Sequence, residues 1–383
     1  MSHAAEGLHK WECSCLAYLH CKSAPGYLLV AFRIICKLGP DGLYELFLRN
    51  GPGFWKRLER FGVGMKYESD SYMAIHHLET HSDKLKPLQR FGNTHAALEY
   101  TSALESQTSF FAEIPQDHRA EFKNFVAALL LRHIEGTGIN FAAIGELKGL
   151  ERLSLADSYR MDPDMVSTRI EETDVSEFAS GVYPLFSLLS HSCDPNIYRF
   201  NDIVNGKVVV MANRPLEKGE TLCSSYRKNF MDNPLSDRQS YLYERYFFRC
   251  QCLACKYDWP TLNEMVHGKL KFCCPFCSKS CKQDERASED LLKCQLNEEG
   301  GWNCGLCRKR YNQENVEMHM DMNLMEFMDA HELVMKNHPI EAIPALKTTH
   351  DYFRTHLCPP SRQFCYSQAI YMKALSLIFY YSQ

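Results

Sequence analysis

The amino-acid sequence predicts an α+β chain, a β-rich core set among helical stretches and stapled by cysteine modules. Three observations carry that prediction. Apolar residues recur at helical spacing through residues 16–145 and again from Glu314 to Gln383. Between Val182 and Tyr226 the pattern changes to short strand-like runs separated by turn residues. Cysteines then follow in C-x-C-x-x-C and C-x-x-C units.

With 383 residues, 45% of them hydrophobic, the chain has apolar material for two or three domains. A net charge of −4 provides no general basic field, which argues against sequence-independent DNA binding through phosphates. No run of eighteen apolar residues exists to span a membrane. Met1–Leu8 lacks the basic and apolar regions of a secretory signal. The eighteen cysteines are clustered as metal ligands are, and a reducing compartment favours zinc over disulfides.

Taken in order, the chain opens with His9-Lys10-Trp11-Glu12-Cys13, an H-x3-C pair that on its own is a weak metal signal. Leu28, Leu29, Ala31, Phe32, Ile34, Ile35 and Leu38 mark a helix that Gly39-Pro40 is expected to end. Tyr72, Ile75, His76 and Leu78 begin another helical pattern, in which His76, His77 and His81 read as packing or surface residues. Phe122, Phe125, Val126, Leu129, Leu130 and His133 mark a third helix, expected to give way at Gly136-Thr137-Gly138. The G-x-G units at Gly51, Gly62 and Gly136 read as loop or helix-end glycines with no strand after them. Residues 146–180 read as a charged, irregular insertion.

The central stretch runs Ser187-Leu188-Leu189-Ser190-His191-Ser192-Cys193-Asp194-Pro195-Asn196. Gly206–Ala212 reads as a strand after an Asn-Gly turn, and Arg214–Glu220 turns into the next strand. Gly219-Glu220-Thr221-Leu222-Cys223-Ser224-Ser225-Tyr226 follows, and then Cys250-Gln251-Cys252-Leu253-Ala254-Cys255. Further on, Cys274, Cys277, Cys304 and Cys307 form two C-x-x-C knuckles of zinc-ribbon type, with Cys273, Cys281 and Cys294 as alternative ligands. Lys269, Lys271, Arg308, Lys309 and Arg310 read as a solvated basic edge of that ribbon, so direct nucleic-acid binding is not expected. Leu324, Met325, Phe327, Met328 and His331 begin a helical tail that continues through Ile343–Leu357 and Tyr366–Tyr381.

The three central pieces, in that order, resemble the C-terminal half of a SET methyltransferase domain. More closely they resemble the SET-and-MYND (SMYD) family in its fourth-member-like branch. The resemblance implies a SET-type core with a helical insertion and an S-adenosylmethionine-dependent protein-lysine N-methyltransferase. Tyr226 matches the family's catalytic tyrosine. Ser190, His191, Tyr226 and Phe248 match positions that line the cofactor, and Asn196 matches an asparagine that holds the crossing of the two loops. Asn140 stands either as a cofactor-contacting asparagine or as a loop residue after a glycine turn. Cys193 would join Cys250, Cys252 and Cys255 in a closed zinc site. Ser190 departs from the family's asparagine, and losing one polar contact weakens cofactor binding by about 1–2 kcal/mol.

The resemblance also divides the chain into regions. It implies a MYND remnant over 1–15 that includes His9 and Cys13, a helical insertion over 16–145, and the C-terminal SET core over 146–230. A post-SET zinc module over 231–258, the ribbon over 268–312 and an incomplete tetratricopeptide-like helical domain over 313–383 follow. Both ends read as truncated, and the Gly-rich cofactor segment of the family is expected to lie outside this chain. The expected partners are a protein presenting a lysine, with chromatin or chaperone partners through the helical domain, in cytoplasm and nucleus. A catalytically weak SET-fold scaffold, acting by protein–protein interaction in transcriptional regulation, is the alternative. A zinc hydrolase is excluded, because all-cysteine sites leave no open position for an activated water.

Overall fold

The structure, a computed structural model, describes residues 9–15, 26–50, 67–68, 71–148, 174–202, 206–226, 228–267, 270–280, 293–297 and 302–381. The chain divides into two compact units. One comprises Met1–Glu146 with Ser176–Leu188, and the other Leu147–Val175 with Leu189–Gln383. The Gly51 and Gly62 units, Cys281, Lys269 and most of the 146–180 segment lie outside the described residues.

The first unit is helical. Its main elements are α1 (Gly26–Asn50), α2 (Tyr72–His76), α3 (Pro87–Gln107) and α4 (Arg119–Asn140). The helix expected to end at Gly39-Pro40 instead kinks there and continues to Asn50. Gly39 takes φ 69° and ψ 173°, a conformation open to glycine alone, and Pro40 restarts the helix where no N–H is needed. The pattern begun at Tyr72 closes after His76, and α3 follows it.

A second correction concerns α4. It does not give way at Gly136 but runs through both glycines to Asn140, and strand β1 (Phe141–Lys148) follows directly. Thr137 explains the persistence, since its hydroxyl bonds the carbonyls of His133 and Tyr27 and so ties the last turn to α1. β1 pairs with β2 (Asp174–Val182), so the stretch expected to be irregular as far as residue 180 ends in a strand.

The core of this unit is aromatic. Phe32 meets Tyr100 edge-on at 5.3 Å and Phe47 meets Phe122 at 5.8 Å, each such pair adding about 0.5–1.5 kcal/mol beyond area burial. His76 is buried among them in its own polar group, where the Tyr72 hydroxyl lies 3.4 Å from its Nδ1 and 2.9 Å from His133 Nε2. That is packing, as expected for His76.

The second unit holds the β elements. After α5 (Pro184–Ser187, in the first unit) come β3 (Ser190–His191), β4 (Ile197–Asp202), β5 (Lys207–Ala212) and β6 (Cys223–Ser224). β4 and β5 form an antiparallel hairpin in register from Ile197 opposite Ala212 to Asp202 opposite Lys207. Gly206, at φ 62°, supplies the turn that the Asn-Gly pair announced. β3 and β6 pair in parallel, Ser190 opposite Cys223 and His191 opposite Ser224.

The same unit continues with α6 (Leu235–Tyr246), α7 (Leu253–Lys256) and α8 (Pro275–Ser280). The small antiparallel sheet β7 (Leu296–Asn297), β8 (Trp302–Cys304) and β9 (Arg310–Tyr311) follows. Three long helices close the unit: α9 (Gln313–Met335), α10 (Pro339–His356) and α11 (Arg362–Tyr381). Consecutive members pack together, and α11 also lies on β4. His350 of α10 is buried, with Nδ1 3.2 Å from Ser367 Oγ and Nε2 3.3 Å from the Asn213 carbonyl. One continuous apolar core runs from Cys193 and Phe230 through the cysteine modules to Phe353 and Ile370.

Candidate functional site

Two loops cross in the second unit, and Asn196 is the pin. Its Nδ2 donates to the Thr221 carbonyl at 2.9 Å and to Glu220 Oε1 at 3.1 Å, while its Oδ1 accepts from Cys223 N at 2.8 Å. Main-chain bonds from Ser192 N to Ser224 O and from Asn196 N to Cys223 O complete the crossing. Arg214 forks onto Glu220 below it. Burial works against the Glu220 charge, but the bonds from Arg214, Glu217 N and Asn196 hold its carboxyl below the usual carboxylate range. A segment of short polar residues is thus held by its side chains, where a loop alone would not be.

The crossing places His191 and Tyr226 together. Tyr226 N donates to His191 Nδ1 at 2.9 Å, so the imidazole proton belongs on Nε2, which lies 3.3 Å from Cys193 Sγ. Burial pushes His191 down to about 4, so the ring is neutral at pH 7. The Tyr226 hydroxyl donates to the Leu189 carbonyl at 2.5 Å, and burial pushes its pKa up, so it stays protonated. Phe248 closes one side, its ring 6.0 Å from His191 and 6.3 Å edge-on to Tyr226.

Tyr246 is the residue the sequence reading missed. Its ring lies 4.8 Å from that of Tyr226, with Tyr241 a further 6.1 Å behind. The signal available was the aromatic density at the end of α6, where Tyr241, Tyr243, Tyr246, Phe247 and Phe248 crowd in just before Cys250. Phe247 itself takes φ 60°, left-handed backbone unusual for a bulky residue, and that turn stops α6 and delivers Phe248. The Ser224 and Ser225 hydroxyls, just before Tyr226 in the chain, are buried with no hydrogen-bond partner.

Other expected residues take separate places. Ser190 is exposed, opposite Cys223 in β3. Asn140 lies in the first unit as the last residue of α4 rather than in a loop. Its amide nitrogen donates to the carbonyls of Glu79 at 3.0 Å and Gly136 at 2.9 Å. His9 Nδ1 is 3.3 Å from Glu12, Cys13 is exposed, and among the described residues neither belongs to a metal-type cluster.

The cysteines form two tetrads. Cys193, Cys250, Cys252 and Cys255 have all four Sγ atoms within 4.8 Å of one another, as do Cys274, Cys277, Cys304 and Cys307. Individual separations are 3.5 Å for Cys193–Cys255, 3.7 Å for Cys274–Cys307 and 3.8 Å for Cys277–Cys304. Thiolates at about 2.3 Å from a tetrahedral zinc stand about 3.8 Å apart, so both donor sets fit zinc. Gln239 brackets the first tetrad, its side chain exchanging both bonds with the Cys250 main chain at 2.7 and 3.1 Å. In the second, the amides of Leu306 and Cys307 point at Cys304 Sγ at 3.3 and 3.4 Å. Of the alternative ligands, Cys273 lies outside the tetrad with its sulfur 2.7 Å from Cys358 Sγ, and Cys294 is buried outside it.

A family model of the SET domain matches residues 65–227, which takes in α2 to α4 as well as the crossing. The chain carries a SET domain over those residues, and the relatives it is similar to are SMYD-type proteins. Its similarity to Protein-lysine N-methyltransferase SMYD4 of Homo sapiens is 30% identity over 118 residues, covering 30% of this chain and 13% of that protein. With SMYD4 of Pongo abelii it is 23% identical over 248 residues, 61% of this chain and 28% of the relative. With Histone-lysine N-methyltransferase SMYD3 of Mus musculus it is 35% identical over 91 residues, 24% and 20% of the two chains. The chain therefore spans well under two thirds of the length of these SMYD relatives.

Proposed function

We propose that this chain is a SMYD-type protein-lysine N-methyltransferase that uses S-adenosylmethionine and takes a protein substrate presenting a lysine. The observation that carries the reading is the protonated Tyr226 hydroxyl, fixed on the Leu189 carbonyl inside the crossing and walled by Tyr246, Phe248 and His191. S-adenosylmethionine, when bound, supplies a sulfonium methyl for direct displacement by the lysine amine. His191, Ser190, Phe248 and the unpartnered Ser224 and Ser225 hydroxyls are the residues to hold it.

What remains for the protein is alignment, exclusion of water and a neutral amine. Aromatic walls desolvate an entering lysine, which favours its uncharged form. Tyr226 and nearby carbonyls orient the nitrogen by hydrogen bonds, and no strong base is required. Neutral His191 adds no positive charge against the incoming amine. Zinc in the two cysteine tetrads would be structural, pinning Cys193 and the ribbon.

The test is calorimetric titration with S-adenosylmethionine, followed by transfer of labelled methyl to a lysine peptide. Saturable binding and labelled lysine are expected. No binding at millimolar cofactor would sink the enzyme reading for this chain.

Exposed Ser190 favours the second reading, a catalytically weak SET scaffold acting through partners, because it lacks the family's amide at that position. Ser190→Asn separates the two. A gain of about tenfold in cofactor affinity supports an enzyme weakened at one contact, and no gain supports the scaffold. For either reading, the consecutive α9, α10 and α11 support a tetratricopeptide-like surface for chromatin or chaperone partners. The clustering of cysteines into two zinc-type tetrads supports a reducing compartment, cytoplasm and nucleus, and the H-x3-C spacing of His9 and Cys13 supports a MYND module at that end.

A further inference from the structure

Helix α9 is apolar on two opposite sides. Met320, Phe327, Ala330, His331 and Val334 form its buried face. On the other side Met318, Met322 and Met325 stand at i, i+4 and i+7, exposed by 50%, 58% and 68%, with Met328 at their edge exposed by 39%. A helix that is apolar all round is normally buried all round. Acids flank the methionines: Glu314, Asp321, Glu326 and Asp329 are all exposed. The exposed cation at the end of the helix, Lys336, is committed to Glu332 at 2.6 Å.

We propose that this outer face of α9 docks a basic amphipathic helix from another protein. Methionine side chains are unbranched and polarizable, and surfaces built from them adapt to helical ligands of varied sequence. The acids supply the complementary charge that steers and registers a basic partner. They also decide against the competing occupants. A second copy would bring the same acids face to face, and an anionic lipid surface would be repelled. The face requires nothing of the site around Tyr226, so it stands whether or not the chain transfers methyl groups.

Fluorescence anisotropy with a labelled amphipathic helix of leucine and arginine tests the proposal. Arginine replaces lysine so that the peptide cannot act as a methyl acceptor. Saturable binding to the full chain is expected, weakened at least about tenfold by the double substitution Met322→Gln and Met325→Gln and falling steeply with salt. The same peptide with its residue order scrambled should not bind. Should the double variant melt differently from the parent, Asp321→Asn with Asp329→Asn takes its place and should likewise weaken binding and flatten the salt dependence. Equal binding of the scrambled peptide, or undiminished binding to a folded variant, overturns the proposal. So does self-association of the parent chain that the methionine substitutions abolish, since the occupant would then be a second copy.

Discussion

Tyr226 makes the most specific demand of any single residue. Its hydroxyl reaches the Leu189 carbonyl at 2.5 Å and its ring packs on Tyr246, so the ring can keep its place when the hydroxyl is lost. Tyr226→Phe should therefore leave S-adenosylmethionine affinity within about threefold while methyl transfer falls by about a hundredfold or more, the scale of losing one preorganised group. Single-turnover rates beside calorimetry check this, and parallel losses in both would assign the hydroxyl to cofactor binding. Tyr226 was legible in the sequence because Gly219-Glu220 stand at a fixed distance before it. Tyr246 was not, because nothing in its spacing relates it to Tyr226. Only the end of α6, turned by Phe247, brings the two rings together. Cys193 lay between these cases: its membership of the first tetrad came from family resemblance, whereas the ribbon tetrad could be read from C-x-x-C spacing alone.

Glycine is where element boundaries were misread. A glycine near the end of a periodic run signals a stop, but the signal does not distinguish backbone need from mere absence of a side chain. Gly39 has the need, at φ 69°. Gly138 has not: it lies in helical α4, and an added Cβ would meet the Tyr27 ring at an ordinary 3.8 Å. The same substitution should thus act in opposite directions. Gly39→Ala should lower stability by about 1–3 kcal/mol, and Gly138→Ala should raise it by about 0.5–1 kcal/mol. Thermal melts of the two variants beside the parent decide it, and a shift of the same sign in both would contradict the assigned backbone conformations. For the cysteine modules, metal analysis of the purified chain should find two zinc equivalents, and Cys277→Ser should release one of them. Fewer than two in the parent contradicts the tetrads.

Among the described residues, four buried histidines contribute to the response to acid in one direction. Burial is the leading cause in each case. With Arg132 adding to it, it holds His76 at about 2 and His133 at about 3, and with Lys373 adding, His331 at about 4. His350 is held at about 4 by burial against the nearby Asp351. In the unfolded chain each titrates near pH 6.5. Below that pH the unfolded state takes up protons that the folded state refuses. Their contribution to stability is therefore complete above about pH 6.5 and falls as the pH drops toward about 4. Urea midpoints measured from about pH 7.5 down to 4.5 should decline across that window. His350→Gln, which keeps an amide between Ser367 and the Asn213 carbonyl, should decline less steeply, and a midpoint flat over the window would count against the assignment.

Cys193 belongs at once to the loop that carries His191 and to the first tetrad, with Phe230 N bonded to its carbonyl. Anything that orders one side of that residue orders the other, and thermodynamic reciprocity makes the coupling equal in both directions. If the site around Tyr226 binds the demethylated cofactor product, that product should tighten the equilibrium affinity of one zinc, measured by chelator competition, while leaving the ribbon zinc unaffected, and removing that same zinc should weaken the product's affinity by the same factor.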